Sequence, residues 1–206
     1  MEKTIDKLLL DGGCTCFDFT NTVNSRHVSS GHEYLKTYAD LLEWCNRTGL
    51  ISSARIKELS DLANSRQKEA EQIMEGAMMG REVLFRVFSA VAAGQKPDRK
   101  DLAAFNEKVS DSLSHVRLTM KNGEKSLDLS PDKPDLEEPL WQIYKSAFDV
   151  WINEDVDRIK ECESCGWLFL DKSKNNRRRW CNMKTCGSSD KALRYYYKKK
   201  KEGENA

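Results

Sequence analysis

The sequence predicts a mainly α-helical fold with one β-hairpin, in which a helical N-terminal domain precedes a small C-terminal module built on four cysteines. Three observations carry this expectation. Apolar residues recur at helical spacing through most of the first 156 positions, one Asn-Gly pair separates two alternating runs, and two closely spaced cysteine pairs lie near the end of the chain.

Taken in order, CTCFDFTNT at 14–22 is a short apolar run that reads as a buried strand or turn. A polar loop through Ser29, Ser30 and Gly31 follows. A helix is expected from near His32, with Leu35, Tyr38, Leu41, Leu42 and Cys45 on one face and Gly49 as its C-cap. Ser52 or Ser53 can cap the next helix, which carries Ile56, Leu59 and Leu62. A further helix over about 72–93 sets Leu84, Val87, Phe88 and Val91 on a stripe and ends at Gly94 and Pro97, after which Asp98 can cap another. The period then changes to two. Val116, Leu118 and Met120 alternate, Asn122-Gly123 supplies a two-residue turn, and Leu127 and Leu129 alternate again, so Leu118 should face Leu127 and Val116 should face Leu129. A last body helix is expected over about 137–156, with Leu140, Tyr144, Ala147 and Trp151 on its buried face.

With 206 residues, 39% hydrophobic and 33% charged, the chain is long enough for one large domain or one domain plus an appendage. No apolar run approaches the roughly 20 residues of a membrane-spanning helix, and MEKTIDKLLLDGG lacks the features of a secretory signal. A soluble cytoplasmic protein is therefore expected, with no membrane partner. In a reducing compartment seven cysteines point to metal binding or free thiols rather than to a disulfide framework.

Charge is unevenly placed. Residues 171–201 carry 12 Lys and Arg against two acids, a net of +10, whereas residues 1–170 have a net of −7. A basic module on an acidic body favours a polyanion partner, nucleic acid first, although the lysines from 198 to 201 alone read equally well as a solvated tail.

The C-terminal segment has the pattern C-x2-C, fifteen residues, then C-x4-C, formed by Cys162, Cys165, Cys181 and Cys186. Four thiolates complete the tetrahedral coordination of Zn²⁺ and leave no open position, which is how structural rather than catalytic zinc is held. Gly166 allows the turn that points the first two thiolates at one ion. The stretch WLFLDKSKNNRRRW is long enough for a short hairpin that returns the second pair to the first. Ser188 or Ser189, with Asp190, would launch a helix over about 190–200. A dithiol redox motif at Cys162 and Cys165 is the alternative, but it would not require the second pair. Cys45 reads as a small core residue, and Cys14 and Cys16 have a spacing ill suited to chelating one zinc ion. His27 and His32 read as solvated.

FDFTNT, the Trp44–Leu50 run, GREVLFRVFSAVAAG at 80–94 and CGWLFLDKSKNNRRRWCNMKTCG at 165–187 together resemble bacterial CGNR-type zinc-finger proteins with an N-terminal ABATE domain. The likeness runs from about Cys14 to Lys201. It implies a helical ABATE-like sensor domain over 1–157, a treble-clef-like finger with a basic C-terminal helix over 158–206, and a stress-induced transcriptional regulator whose finger contacts DNA. One departure stands out. Where the family has Cys-Gly-Asn-Arg, this chain has Cys186-Gly187-Ser188-Ser189, so the arginine's donor fork is missing.

The DNA-contacting set expected from charge and spacing is Arg177, Arg178, Arg179, Lys191, Arg194 and Lys198. Asp18, Asn21 and Thr22 could line a pocket for a small-molecule ligand, or could instead cap a turn or helix. Arg81 and Arg86 read as partners of acids rather than of a ligand. Three functions are open on these grounds: a DNA-binding regulator with a sensor domain, a zinc-stabilised protein-interaction adaptor, and, as the weakest, a metalloenzyme. No nucleophile–base pair or phosphate loop stands out, so the expectation is a protein that is not an enzyme; a homodimer is left open.

Overall fold

The computed structural model describes residues 4–28, 31–121, 123–192 and 195–196. Among the described residues, six α-helices and two two-stranded antiparallel sheets make up most of the regular structure, with short 3-10 and π-helical turns and a helical stretch over 188–192. Helix α1 (Thr15–Thr20) is short and sits at the centre, against α4, α6 and the second sheet. The strand or turn expected at CTCFDFTNT is thus a helix. So short an apolar run has no period to separate the two, and the elements packed around it decide; Thr20 donates to the Phe17 carbonyl at 2.9 Å and Thr22 to that of Phe19 at 2.8 Å at the helical end. Phe17 and Phe19 are fully buried, Phe17 edge-on to Phe88 at 5.1 Å and Phe19 against Trp44 at 5.8 Å.

Helix α2 (Tyr38–Thr48) begins six residues later than the start expected near His32. Thr37 forms a capping box with Asp40, accepting from the Asp40 amide while its own amide donates to the Asp40 carboxylate. The stretch before it is extended: the amide of Asn24 donates to the His32 carbonyl and that of Tyr34 to the Thr22 carbonyl. Tyr38, Leu41, Leu42 and Cys45 are buried, and α2 ends at Gly49 with φ +68° as expected. Ser52 caps α3 (Ser53–Ser65), and Asp98 caps α5 (Arg99–Ser114) by accepting from two backbone amides.

Helix α4 (Gln67–Ala92) is the axis of the body, 26 residues and about 39 Å long. Its buried stripe runs through Met74, Ala77, Leu84, Val87 and Phe88. Gly80 lies on the same stripe because Tyr144 of α6 (Glu138–Asn153) presses there: a Cβ would fall 2.0 Å from the tyrosine oxygen. On α6, Leu140, Tyr144 and Ala147 are buried as expected, but Trp151 is 39% exposed. It caps the edge of the core, against Phe88 at 5.9 Å and Phe105 at 5.7 Å.

Strands β1 (Arg117–Lys121) and β2 (Glu124–Asp128) form the expected hairpin with Leu118 opposite Leu127, and Gly123 has φ +84°. The same register would set Val116 against Leu129, but the ladder stops one pair short. A second hairpin, unforeseen from the sequence, pairs β3 (Ile159–Glu161) with β4 (Leu168–Leu170). Ile159, Leu168, Phe169 and Leu170 belong to the same buried core as Phe17, Leu84 and Ile143, so apolar packing is continuous from the body into the cysteine-bearing segment.

Candidate metal centre and its basic surround

The β3–β4 hairpin exists to carry a knuckle. Its tip holds Cys162 and Cys165, the Gly166 amide donates to the Cys162 carbonyl at 2.8 Å, and the Cys162 amide donates to the Trp167 carbonyl at 2.8 Å. Gly166 has φ +74°, and a Cβ there would lie 2.7 Å from the Cβ of Arg26. The hairpin therefore spans the first cysteine pair, not the stretch between the pairs as the sequence suggested. Residues 171–180 return as an irregular loop because Asp171 organises them. Its carboxylate accepts from Lys160 Nζ at 2.9 Å, from the Arg178 amide at 2.9 Å and from the Ser173 amide at 3.0 Å. Burial alone would raise this carboxyl; hydrogen bonds from Ser173, Lys160 and the Arg178 amide outweigh it and hold Asp171 well below the usual carboxylate range.

The second pair rides on a tight helical end. Asn182 caps a π-helical turn at Met183–Gly187, its side-chain oxygen accepting from the amides of Lys184 and Thr185, and the chain continues as α-helix over 188–192. The cap is thus Asn182 rather than Ser188 or Ser189, since the helical turn begins at Met183 and already contains Cys186. The Ser188 hydroxyl donates back to the Met183 carbonyl instead.

These elements bring Cys162, Cys165, Cys181 and Cys186 together, with all four Sγ atoms within 4.8 Å of one another. Cys181 Sγ is 3.7 Å from both Cys165 Sγ and Cys186 Sγ. A zinc–sulfur bond of about 2.3 Å in a tetrahedron requires sulfur–sulfur edges of about 3.8 Å, so the donor set fits structural Zn²⁺ in number, softness and spacing. Without the ion these thiols lie within hydrogen-bonding distance of one another. Hydrogen bonds from Cys165 and Cys181 draw Cys162 well below the ordinary thiol range, while the bond to Cys162 pushes Cys165 and Cys181 up. When bound, the ion replaces those protons and ties both pairs into one unit.

The body grips this unit from one side. The Arg26 amide donates to the Cys165 carbonyl at 2.8 Å, and Trp167 Nε1 donates to the Val23 carbonyl at 2.8 Å. The Leu170 amide donates to the Gly12 carbonyl at 2.8 Å, and Asn182 Nδ2 donates to the Asp11 carboxylate at 3.0 Å. Asn21 is fully buried and acts as a surrogate strand for β4: Nδ2 donates to the Leu168 carbonyl at 2.8 Å and Oδ1 accepts from the Leu168 amide at 3.1 Å. Thr22, also buried, accepts from Arg81, which is ion-paired with Glu33 at 2.6 Å and Glu82 at 3.0 Å. Asp18 accepts from the Gly12 amide at 2.8 Å, and burial pushes its carboxyl up to about 6. The polar atoms of Asp18, Asn21 and Thr22 thus face the protein's own groups. Arg86 pairs with Asp101 at 2.6 Å, in line with the sequence reading.

The arginine run divides in two ways. Arg178 donates to the Cys181 carbonyl and lies over the Phe169 ring at 5.0 Å, and Arg179 pairs with Glu163 and lies over Trp180 at 5.0 Å. Arg177 is exposed and has no ion pair among the described residues, and Lys184 and Lys191 are also exposed. Arg194 and Lys198 lie outside the described residues. An open groove of about 850 Å³ is lined by the end of α4, by β3 and by Arg177, Arg178 and Arg179. A second recess of about 520 Å³, between α2, α3 and α4, has Tyr38, Leu42, Ala70 and Met74 in its wall. The sequence reading missed Asp171, Asn182 and Arg26. Asp171 alone had a visible signal, as the one acid at the head of an otherwise basic segment.

Fold and site together define a helical protein bearing a structural zinc finger. The chain belongs to the ABATE family, described as "Putative stress-induced transcription regulator", whose model matches residues 13–154; a CGNR zinc finger model matches residues 158–199. No curated protein matches the chain. No helix among the described residues is long and apolar enough to cross a membrane.

Proposed function

We propose that the protein is a DNA-binding transcriptional regulator in which the zinc finger contacts DNA and the helical body senses a ligand or stress signal. The observation that carries this is the net charge of +10 over residues 171–201, joined to a body of net −7, with Arg177, Arg178, Arg179 and Lys184 in the stretch that brings the second cysteine pair to the first. Cations on a fixed frame lose little freedom on contact and release counterions from phosphates. Arg177, Lys184 and Lys191 are the groups offered first, since Arg178 and Arg179 already hold partners within the module. Arg179, exposed, can exchange Glu163 for a phosphate. A four-cysteine zinc site leaves no coordination position for substrate, which supports binding rather than catalysis as the mode of action. The 520 Å³ recess is of a size for a small ligand.

Anisotropy of a labelled duplex, titrated with zinc-loaded protein across salt, tests the reading. The logarithm of affinity should fall linearly with the logarithm of salt. Replacing Arg177, Lys184 and Lys191 together by alanine should reduce the slope by about 2.7, at about 0.9 for each phosphate contact. Absence of binding at low salt would refute DNA contact and favour the protein-interaction adaptor.

A further inference from the structure

Position sorts the seven cysteines. Four converge on the metal, and Cys45 lies fully buried in α2, where burial pushes its thiol far above the ordinary range. The other two, Cys14 and Cys16, lie at the start of α1 with their Sγ atoms 3.6 Å apart. Cys14 is the extended residue before the helix, at φ −154° and ψ 158°, and is partly exposed. Cys16 is fully buried, and its amide donates to Ser146 Oγ of α6 at 3.2 Å. A disulfide needs about 2.05 Å between sulfurs, so the two must approach by about 1.5 Å to bond.

We propose that Cys14 and Cys16 form a redox-active dithiol, separate from the zinc site, which hydrogen peroxide oxidises to an intramolecular disulfide. Cys14 is the attacked thiol because solvent reaches it. After loss of its proton its sulfur attacks one peroxide oxygen, the O–O bond breaks, and the departing hydroxide takes up a proton and leaves as water. Cys14 is then a sulfenic acid. Cys16 is the resolving thiol: its sulfur attacks the Cys14 sulfur, the S–O bond breaks, and hydroxide leaves with the Cys16 proton as a second water. Two thiols and one peroxide give one disulfide and two waters. Burial pushes the Cys16 thiol well above its ordinary range, which keeps it protonated and unreactive until the sulfenic sulfur is beside it. The site also touches the finger, because the preceding Gly12 carbonyl accepts from the Leu170 amide of β4.

The test uses the full zinc-loaded chain with one molar equivalent of hydrogen peroxide, followed by alkylation under denaturing conditions and peptide mapping by mass spectrometry. The expected result is a peptide in which Cys14 and Cys16 have lost two hydrogens and resist alkylation, while a chelating dye detects no released zinc. Cys16→Ser should leave Cys14 as a sulfenic acid that dimedone traps, and Cys14→Ser should leave Cys16 alkylatable. The wild-type map stands even if a variant fails to fold. Full alkylation of Cys14 and Cys16 alongside oxidised zinc ligands would overturn the proposal. So would Cys14 carried to sulfinic acid with no disulfide formed.

Discussion

Asn21→Ala removes the side chain that stands in for a strand beside β4. Asn21 makes two hydrogen bonds to Leu168, at 2.8 and 3.1 Å, in a site where both residues have zero exposure. Each bond contributes about 1 kcal/mol net, and a buried amide and carbonyl left without partners cost about 1–3 kcal/mol each, less whatever water can enter. A loss of about 3 kcal/mol follows. For a chain of this size 1 kcal/mol moves Tm by about 2–4 °C, so Asn21→Ala should melt about 6–12 °C below wild type. The assay is thermal unfolding by circular dichroism in zinc-saturated buffer, so that ligation is constant across variants.

Asn21→Asp sharpens the test. A carboxylate keeps the acceptor for the Leu168 amide but sets a negative oxygen against the Leu168 carbonyl in a buried site. Its folded pKa should rise above the ordinary value of about 3.9. The deficit is then largest at neutral pH and shrinks as pH falls through that raised value, where the protonated oxygen can donate to the carbonyl. A Tm within about 2 °C of wild type for Asn21→Ala, or an Asn21→Asp deficit independent of pH, would refute the reasoning.

Asp18, pushed up to about 6 by burial, contributes stability that is fully present below about pH 4 and is lost as pH rises through 6. The span is about 2 kcal/mol after allowance for its partial exposure, and Asp18→Asn should flatten urea-unfolding stability between pH 4 and 7. Arg81→Met breaks the buried pairing with Glu33 and Glu82 and should cost about 3–5 kcal/mol by chemical denaturation, with Arg81→Lys recovering only part of it. Cys181→Ser should abolish tight zinc binding by metal analysis and reduce amide protection at Cys162 and Gly166, whose backbone bonds span the knuckle.

Most helices were legible because their caps are local. Ser52, Asp98 and Gly49 act on neighbours within four residues, and the stripes they bound are long enough to show a period. The cysteine set was legible because metal geometry restricts spacing so tightly. What could not be read depends on partners remote in sequence. The start of α2 is fixed by pairing of residues 22–24 with 32–34, and α1 is helical because it is enclosed by α4, α6 and β4. Asn21 meets Leu168 across 147 positions, and Arg178 turns back onto Cys181 once Asp171 has bent the loop. A charge count treats Arg177, Arg178 and Arg179 alike; only the fold distinguishes the one that lacks a partner among the described residues from the two that are held.

That distinction bears on how a regulator of this build can respond. One family match ends at residue 154 and the other begins at 158, just after α6 ends at Asn153. Yet residues 11–26 reach across this junction at Asp11, Gly12, Asn21, Val23 and Arg26, each bonded to the zinc-bearing segment. The Arg26 side chain also pairs with Glu82 on α4 and donates to the Thr20 carbonyl, so one residue, through its side chain and its backbone amide, ties α4, the α1 end and the knuckle together. Any event that shifts α4 or α1 by a bond length must either break a bond to the finger or move it. Coupling of this sort needs no flexible hinge, because a packed core with two discrete bonding arrangements transmits a local change as a change of partner.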